Sequence, residues 1–189
     1  MKKHILTVIM LAVILFSSCD TFDDLDKMPD PEVEYSSTYP ISGEYYAEFS
    51  YTEHGDLFGA GLVPLYIYNT AADDGQDVWI TDYIGSDPSE GSYWGFRVKC
   101  PVNMDDLSFG SADTLIDEGF GIKVVVRNGQ ILEEATEQPS GTISDSIFCE
   151  IWFEDIGPYI NSQVGDIIAE DEYLNVSGFR RSGFLEDEH

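Results

Sequence analysis

The sequence predicts an all-β fold, an antiparallel up-and-down β-barrel of about eight strands. Three observations carry that expectation. Apolar residues alternate with period two along seven or eight runs between Ile41 and the C-terminus. Gly, Asp, Asn, Ser and Pro cluster between those runs, as turn chemistry requires. Only 103–119 and 155–173 have room for a helical turn or two, and neither is strongly amphipathic. Repeated short strands with regular turn signals argue for a barrel or a sandwich. A charged outer face opposite an apolar inner one fits a closed meander, which also removes free strand edges.

The elements follow in order. Residues 41–53 place Tyr45, Ala47, Phe49 and Tyr51 on one face and Glu44, Glu48, Ser50 and Thr52 on the other. The next run sets Val63, Leu65 and Ile67 against Leu62, Tyr66 and Tyr68, with Pro64 marking a bulge or an edge. Asp74-Gly75 is a hairpin turn signal before Val78, Ile80, Asp82 and Ile84, which oppose Trp79, Thr81 and Tyr83. Trp94, Phe96, Val98 and Cys100 then alternate with Arg97 and Lys99. Asn128-Gly129, between apolar runs that include Val124, reads as a further hairpin turn. Ile147, Cys149, Ile151 and Phe153 mark another strand, and 173–184 the last. Cys100 and Cys149 lie on apolar parities. They pair if their strands bring the Cα atoms within about 7 Å, and otherwise stand as buried free thiols.

The N-terminus carries an address. Met1-Lys2-Lys3-His4 precedes an apolar run from Ile5 to Phe16, and Ser17-Ser18 stand before Cys19. This is the layout of a secretory signal peptide over residues 1–18. The run falls short of the roughly 20 residues that cross a bilayer. Leu15-Phe16-Ser17-Ser18-Cys19 resembles the bacterial lipobox, which implies loss of residues 1–18, diacylation of Cys19 and a lipid-tethered lipoprotein. Residues 19–40 are acidic, hold three prolines and lack apolar periodicity, as a solvated tether does. Asp20, Asp23, Asp24 and Asp26 resemble the acidic export signals of Bacteroidetes surface lipoproteins. That resemblance implies a place on the outer membrane, facing outward, with 41–189 as the barrel domain.

Charge excludes some partners. The chain has 9 basic and 36 acidic residues, and loss of Lys2 and Lys3 with the leader takes the formal charge from −27 to −29. Such an acidic protein repels phosphate backbones, so nucleic acid is not an expected partner. It also lacks the basic face needed to lie on an anionic membrane. The lipid anchor is the expected membrane contact.

Two further segments carry a family resemblance. Ile41-Ser42-Gly43-Glu44-Tyr45-Tyr46 resembles the Gly-x-Trp start of lipocalins and other calycins, with Tyr45 in the Trp position. The tail Ser177 to Phe184 holds the pair Arg180-Arg181. In calycins an Arg from the last strand packs over the first aromatic and closes the barrel base, which implies that role for Arg180 or Arg181. With the lipobox and the acidic tether, the chain from about Ile41 to His189 resembles the Bacteroidetes family "lipid-binding putative hydrolase". The resemblance implies a lipocalin-like surface lipoprotein.

Catalytic chemistry finds little support. A Ser nucleophile needs a base, usually His, and after the leader only His54 and His189 remain. Glu53-His54-Gly55-Asp56 reads as a turn, and no Gly-x-Ser-x-Gly occurs. Core thiols are inert. Asp73-Asp74-Gly75-Gln76-Asp77 has calcium-loop spacing in part, but a turn with solvated acids accounts for it. No cofactor, metal site or catalytic residue emerges. Asp113-Thr114-Leu115 and Asp145-Ser146-Ile147 resemble a short O-glycosylation acceptor.

The inner face is the better clue. Tyr45, Phe49, Tyr51, Asp82, Trp94 and Phe96 are the candidate ligand-binding residues, with Gly43, Tyr45, Arg180 and Arg181 as structural ones. An eight-stranded barrel is just wide enough to be filled or to hold one small ligand. The favoured function is binding of a small apolar, lipid-like ligand. An accessory surface lipoprotein that binds glycan or protein through outer aromatics (Trp79, Tyr83, Trp152) is one alternative, and a hydrolase is another.

Overall fold

A computed structural model describes residues 34–84 and 92–188. The leader, Cys19 and the tether as far as residue 33 lie outside the described residues. Among the described residues nine strands form one antiparallel sheet: β1 Gly43–Tyr51, β2 Leu62–Asn69, β3 Asp77–Thr81, β4 Arg97–Asn103, β5 Ser108–Phe109, β6 Leu115–Ile116, β7 Lys123–Glu137, β8 Ile143–Phe153 and β9 Leu174–Arg180. A helix, α1 Ile156–Val164, follows β8. Sequential strands pair except β5 with β6, β1 also pairs β9, and β5 pairs both β4 and β7. The result is a closed eight-strand barrel, with β6 as a short addition to the upper part of β7.

Alternation becomes an inside and an outside. Tyr45, Ala47 and Phe49 of β1, Leu65 of β2, Val98 and Cys100 of β4, and Cys149 and Ile151 of β8 are fully buried in one core. Burying each larger side chain contributes about 1.5–3 kcal/mol. The closing seam is short: Val102 pairs Phe109, and Phe109 pairs Gly129. Above it the loop before β6 and the turn after it bridge the gap. Gly110 N–H donates to Pro101 O (3.1 Å), and Ser111 N–H to Val126 O (2.8 Å). Asp117, itself buried, accepts the Arg97 N–H at 2.6 Å.

Asn128-Gly129 is not a hairpin turn, contrary to the expectation. Strand β7 runs straight through it, with a register shift between Arg127 and Gln130. Asn128 takes φ 54°, which suits a β-bulge as well as a type I′ turn. A Cβ on Gly129 would strike the Phe109 ring, so the glycine makes room for the seam. The true β7–β8 hairpin lies at Gln138–Thr142, closed by Gln138 N–H to Thr142 O at 2.9 Å.

The base of the barrel is clasped by Arg180. It stands opposite Tyr45 in the β1–β9 register, with Cζ 5.5 Å from the Tyr45 ring centre. Its Nη2 donates to Pro40 O (2.5 Å) and to the Tyr45 hydroxyl (3.1 Å), and that hydroxyl donates to Ile41 O (2.7 Å). Asp145 lies 3.2 Å from Arg180 Nε. A Cβ on Gly43 would sit 3.2 Å from the same Nε, which explains the glycine two residues before Tyr45. Arg181 points outward to Glu44 (2.8 Å) and Glu188 (2.5 Å). Chain entry is also at the base: Thr38 and Ile41 are fully buried, and Ser37 N–H donates to Asp73 at 2.8 Å. Asp73 and Asp74 thus serve the β2–β3 turn, Asp74 accepting from Gln76 N–H at 3.1 Å.

Cys100 and Cys149 are buried free thiols. Burial, the main cause, pushes Cys100 up to about 12 and raises Cys149 as well. Neither thiol should react with a thiol-specific disulfide reagent in the folded protein, and both should react on unfolding in urea. Fast labelling without denaturant would contradict this packing. At Gly178 a Cβ would run into the Tyr46 carbonyl and Ala47 Cα. Gly178→Ala should therefore cost about 3 kcal/mol, an overpacking penalty, measured from the urea midpoint.

Candidate ligand-binding mouth

The end opposite the base gathers the 52–61 loop, the segment 82–84 and 92–96 between β3 and β4, the turn after β6, and 154–173. Each is built by one or two polar side chains. Asp56 folds the first loop about itself: Oδ1 accepts Phe58 and Gly59 N–H (3.1 and 3.0 Å), and Oδ2 accepts Gly61 N–H (2.8 Å). Gly55, Gly59 and Gly61 have φ of 67°, 62° and 64°, the left-handed region where glycine is unstrained. His54 Nε2 lies 3.1 Å from Ile167 O; a carbonyl only accepts, so Nε2 carries the hydrogen.

Helix α1 covers the mouth. Ile156, Gly157 and Ile160 face the barrel, one helical turn apart, while Tyr159 and Val164 remain exposed. Asp155 stands at its N-cap but caps no backbone; Oδ1 accepts Trp94 Nε1–H at 2.9 Å instead. After Gly165 (φ 96°) the chain turns back on Asn161, whose Oδ1 accepts Ile167 and Ile168 N–H and whose Nδ2 donates to Ile168 O.

Asp82 shapes the third segment. Its buried carboxylate accepts the N–H groups of Trp94 (2.7 Å), Gly95 (3.0 Å) and Phe96 (2.8 Å). Burial holds its pKa above the ordinary 3.8, and the three amides offset that only in part.

Aromatic rings run without a break from core to rim. Phe153 meets Phe96 (5.1 Å between centres), Phe96 meets Phe49 (6.5 Å), and Phe49 stacks on Tyr93 (4.4 Å, 13°). Tyr93 meets Phe58 edge-on (5.3 Å), Phe58 stacks with Trp94 (5.8 Å, 11°), and Trp94 meets Tyr159 (5.3 Å). Beside these outer rings is an apolar cavity of about 200 Å³ lined by Leu57, Phe58, Tyr159, Ile160, Gln163 and Val164. For scale, an apolar cavity of roughly 150 Å³ accommodates benzene.

Of the six residues expected to meet a ligand, Tyr45, Phe49, Tyr51, Phe96 and Asp82 are buried in the packed interior or in loop hydrogen bonds, and only Trp94 is half-exposed at the mouth. Tyr45 lies with Gly43 and Arg180 at the opposite end. The sequence reading missed Phe58, Tyr93 and Tyr159. The last two flank positions with a strand or helix period, but Phe58 sits in a glycine-rich loop, and only its glycines hinted at a built turn. The outer aromatics do not form one patch: Trp79 is on β3 and Trp152 on β8, strands apart in the barrel, and Tyr83 is buried. Around His54 no triad forms among the described residues, since Nε2 is engaged by Ile167 and both Asp56 oxygens by backbone.

A family model described as "lipid-binding putative hydrolase" matches residues 30–185. The chain belongs to that family. The match takes in the whole barrel, α1 and the start of the C-terminal turn. No curated protein matches the chain. Family and barrel fold together support a lipid-binding role.

Asp82 yields a pH signature. Its folded pKa is raised, so the folded chain holds that proton more tightly than the unfolded one. This group's contribution is therefore most favourable below pH 3.8 and declines as pH rises through its folded value. The stability advantage of wild type over Asp82→Asn should shrink between pH 4 and pH 7, measured by urea unfolding. An advantage that grows over that range would contradict the burial of an ionisable carboxyl here.

Proposed function

We propose that the protein is an outer-membrane lipoprotein, anchored through Cys19 and facing outward, whose mouth binds one small apolar, lipid-like ligand. The observation that carries the binding site is the apolar cavity beside Phe58 and Tyr159, backed by rings that continue into the core. Ligand sites are concave, mostly apolar and largely pre-formed. Here Phe58, Tyr159, Ile160 and Val164 form the wall, Trp94 packs against Phe58 and Tyr159, and the packed residues Phe49 and Phe96 support it from beneath. The anchor reading rests on the lipobox and the acids after it. It agrees with a chain that enters the barrel at the base, which leaves the mouth at the free end.

A second reading concerns the outer surface. Tyr66, Tyr68, Thr81, Tyr83, Ile84 and Arg97 line a hollow of about 320 Å³ on the β2–β4 face. Tyrosine faces of this kind suit a glycan or a protein segment. The mouth is preferred because its rings continue into the core.

Native mass spectrometry of the protein released from its own membranes tests the first reading. A bound mass of lipid size is expected in wild type, and Val164→Asp, which puts a charge in the cavity wall, should lose it. Retention of that mass by Val164→Asp would move the site elsewhere. Metabolic labelling with an alkyne fatty acid should mark wild type and leave Cys19→Ser unmarked.

A further inference from the structure

We infer that the mouth takes an uncharged amphiphile, a short acyl chain or ring bearing an ester, amide or alcohol, whose polar group hydrogen-bonds the Tyr51 hydroxyl. This names the ligand class for the proposed mouth and rests on that reading. Tyr51 ends β1 on the inward parity and is 2% exposed. Its hydroxyl is buried with no hydrogen-bond partner among the described residues. Native interiors leave few such groups, and each calls for an explanation. Other polar side chains of the mouth are engaged by the chain itself: Glu172 by the Ala169 N–H, Asp82 by three amides, the Trp94 indole by Asp155, Asn161 by Ile167 and Ile168. Phenylalanine would fill the same space without an unmet hydroxyl. A partner from outside the chain accounts for the oxygen.

Position and charge narrow that partner. Tyr51 is the next inward residue after Phe49 on β1, Phe49 stacks on Tyr93 (4.4 Å), and Tyr93 packs against Phe58, which lines the cavity. Tyr51 thus lies on the core side of these rings, and a chain entering from the cavity reaches toward it by displacing Phe58, itself 38% exposed on its loop. Burial, with Glu172 adding to it, pushes the Tyr51 phenol up to about 12, so near neutral pH it is a donor. The loops 52–61 and 154–173 that form the rim hold acids but neither Lys nor Arg. An incoming carboxylate would meet like charge there, and the two cations that touch these loops among the described residues, Lys123 at Glu154 and Arg127 at Tyr173, are already paired with Glu154 and Glu150. A neutral acceptor meets neither obstacle.

The test follows methyl resonances of Ile160 and Val164 during titration with toluene, methyl octanoate and octanoate at pH 7.5. Toluene reports on the cavity alone. The expected result is that toluene and methyl octanoate bind, octanoate binds at least tenfold more weakly, and Tyr51→Phe weakens the ester about three- to tenfold while leaving toluene unchanged. Ligand-free Tyr51→Phe should melt no lower than wild type. Equal ester affinity in Tyr51→Phe and wild type, or octanoate binding as well as the ester, would overturn the inference and leave the mouth in place. Failure of all three probes to shift those methyls would overturn the mouth reading itself.

Discussion

Closure of the ring is the constraint on which everything else depends, and it rests on a strand of two residues. Each of the other sequential pairs in the ring runs for at least four registered positions, whereas β5 holds β4 to β7 through Ser108 and Phe109 alone. The bulge at Asn128-Gly129 makes this possible. It shifts the β7 register and leaves a glycine on which the Phe109 ring can lie, much as an aromatic side chain shields a glycine at a sheet edge. Without that seam the interior aromatics would face water on one side, and two strands would expose unpaired backbone.

The two ends of the barrel are made in different ways. At the base one cation does most of the organising: Arg180 holds the Tyr45 face, the Pro40 carbonyl and the Asp145 carboxylate together. At the mouth, carboxylates do it. Asp56, Asp82 and Asp155 each turn a loop or fix an indole by accepting N–H groups. An acidic composition is therefore not only a solubility device. Several of its members act as internal fasteners, where a carboxylate can take two or three donors at once.

Much of the barrel was legible because alternation is a local signal. The inward sets of β1, β2, β4 and β8 could be read residue by residue; the third run kept parity at Val78 and Ile80 but lost it where the strand ends at Thr81, leaving Tyr83 buried and Ile84 exposed. The choice between Arg180 and Arg181, open in the sequence reading, is decided by the pairing that sets Arg180 opposite Tyr45. What could not be read depends on distant partners. Asn128-Gly129 has the same dihedral preferences in a bulge as in a turn, and only the pairing of β7 with β5 decides between them. Whether inward aromatics line a space or fill it depends on how rings from four segments meet. Phe96 meets both Phe49 and Phe153, and the open cavity moves to Phe58 on irregular chain and Tyr159 on α1.

The barrel receives its chain at the base, and that fixes how far the mouth can search. Between Cys19 and Glu34 lie fifteen peptide steps, which span at most roughly 50 Å fully extended. On the proposed anchoring, the barrel is confined to a shell of about that depth over its own membrane, with the mouth on the far side of the fold from the attachment. A ligand held there is better placed for exchange with the surroundings than for extraction from the bilayer beneath, and the length of the acidic segment sets the local concentration at which that exchange takes place.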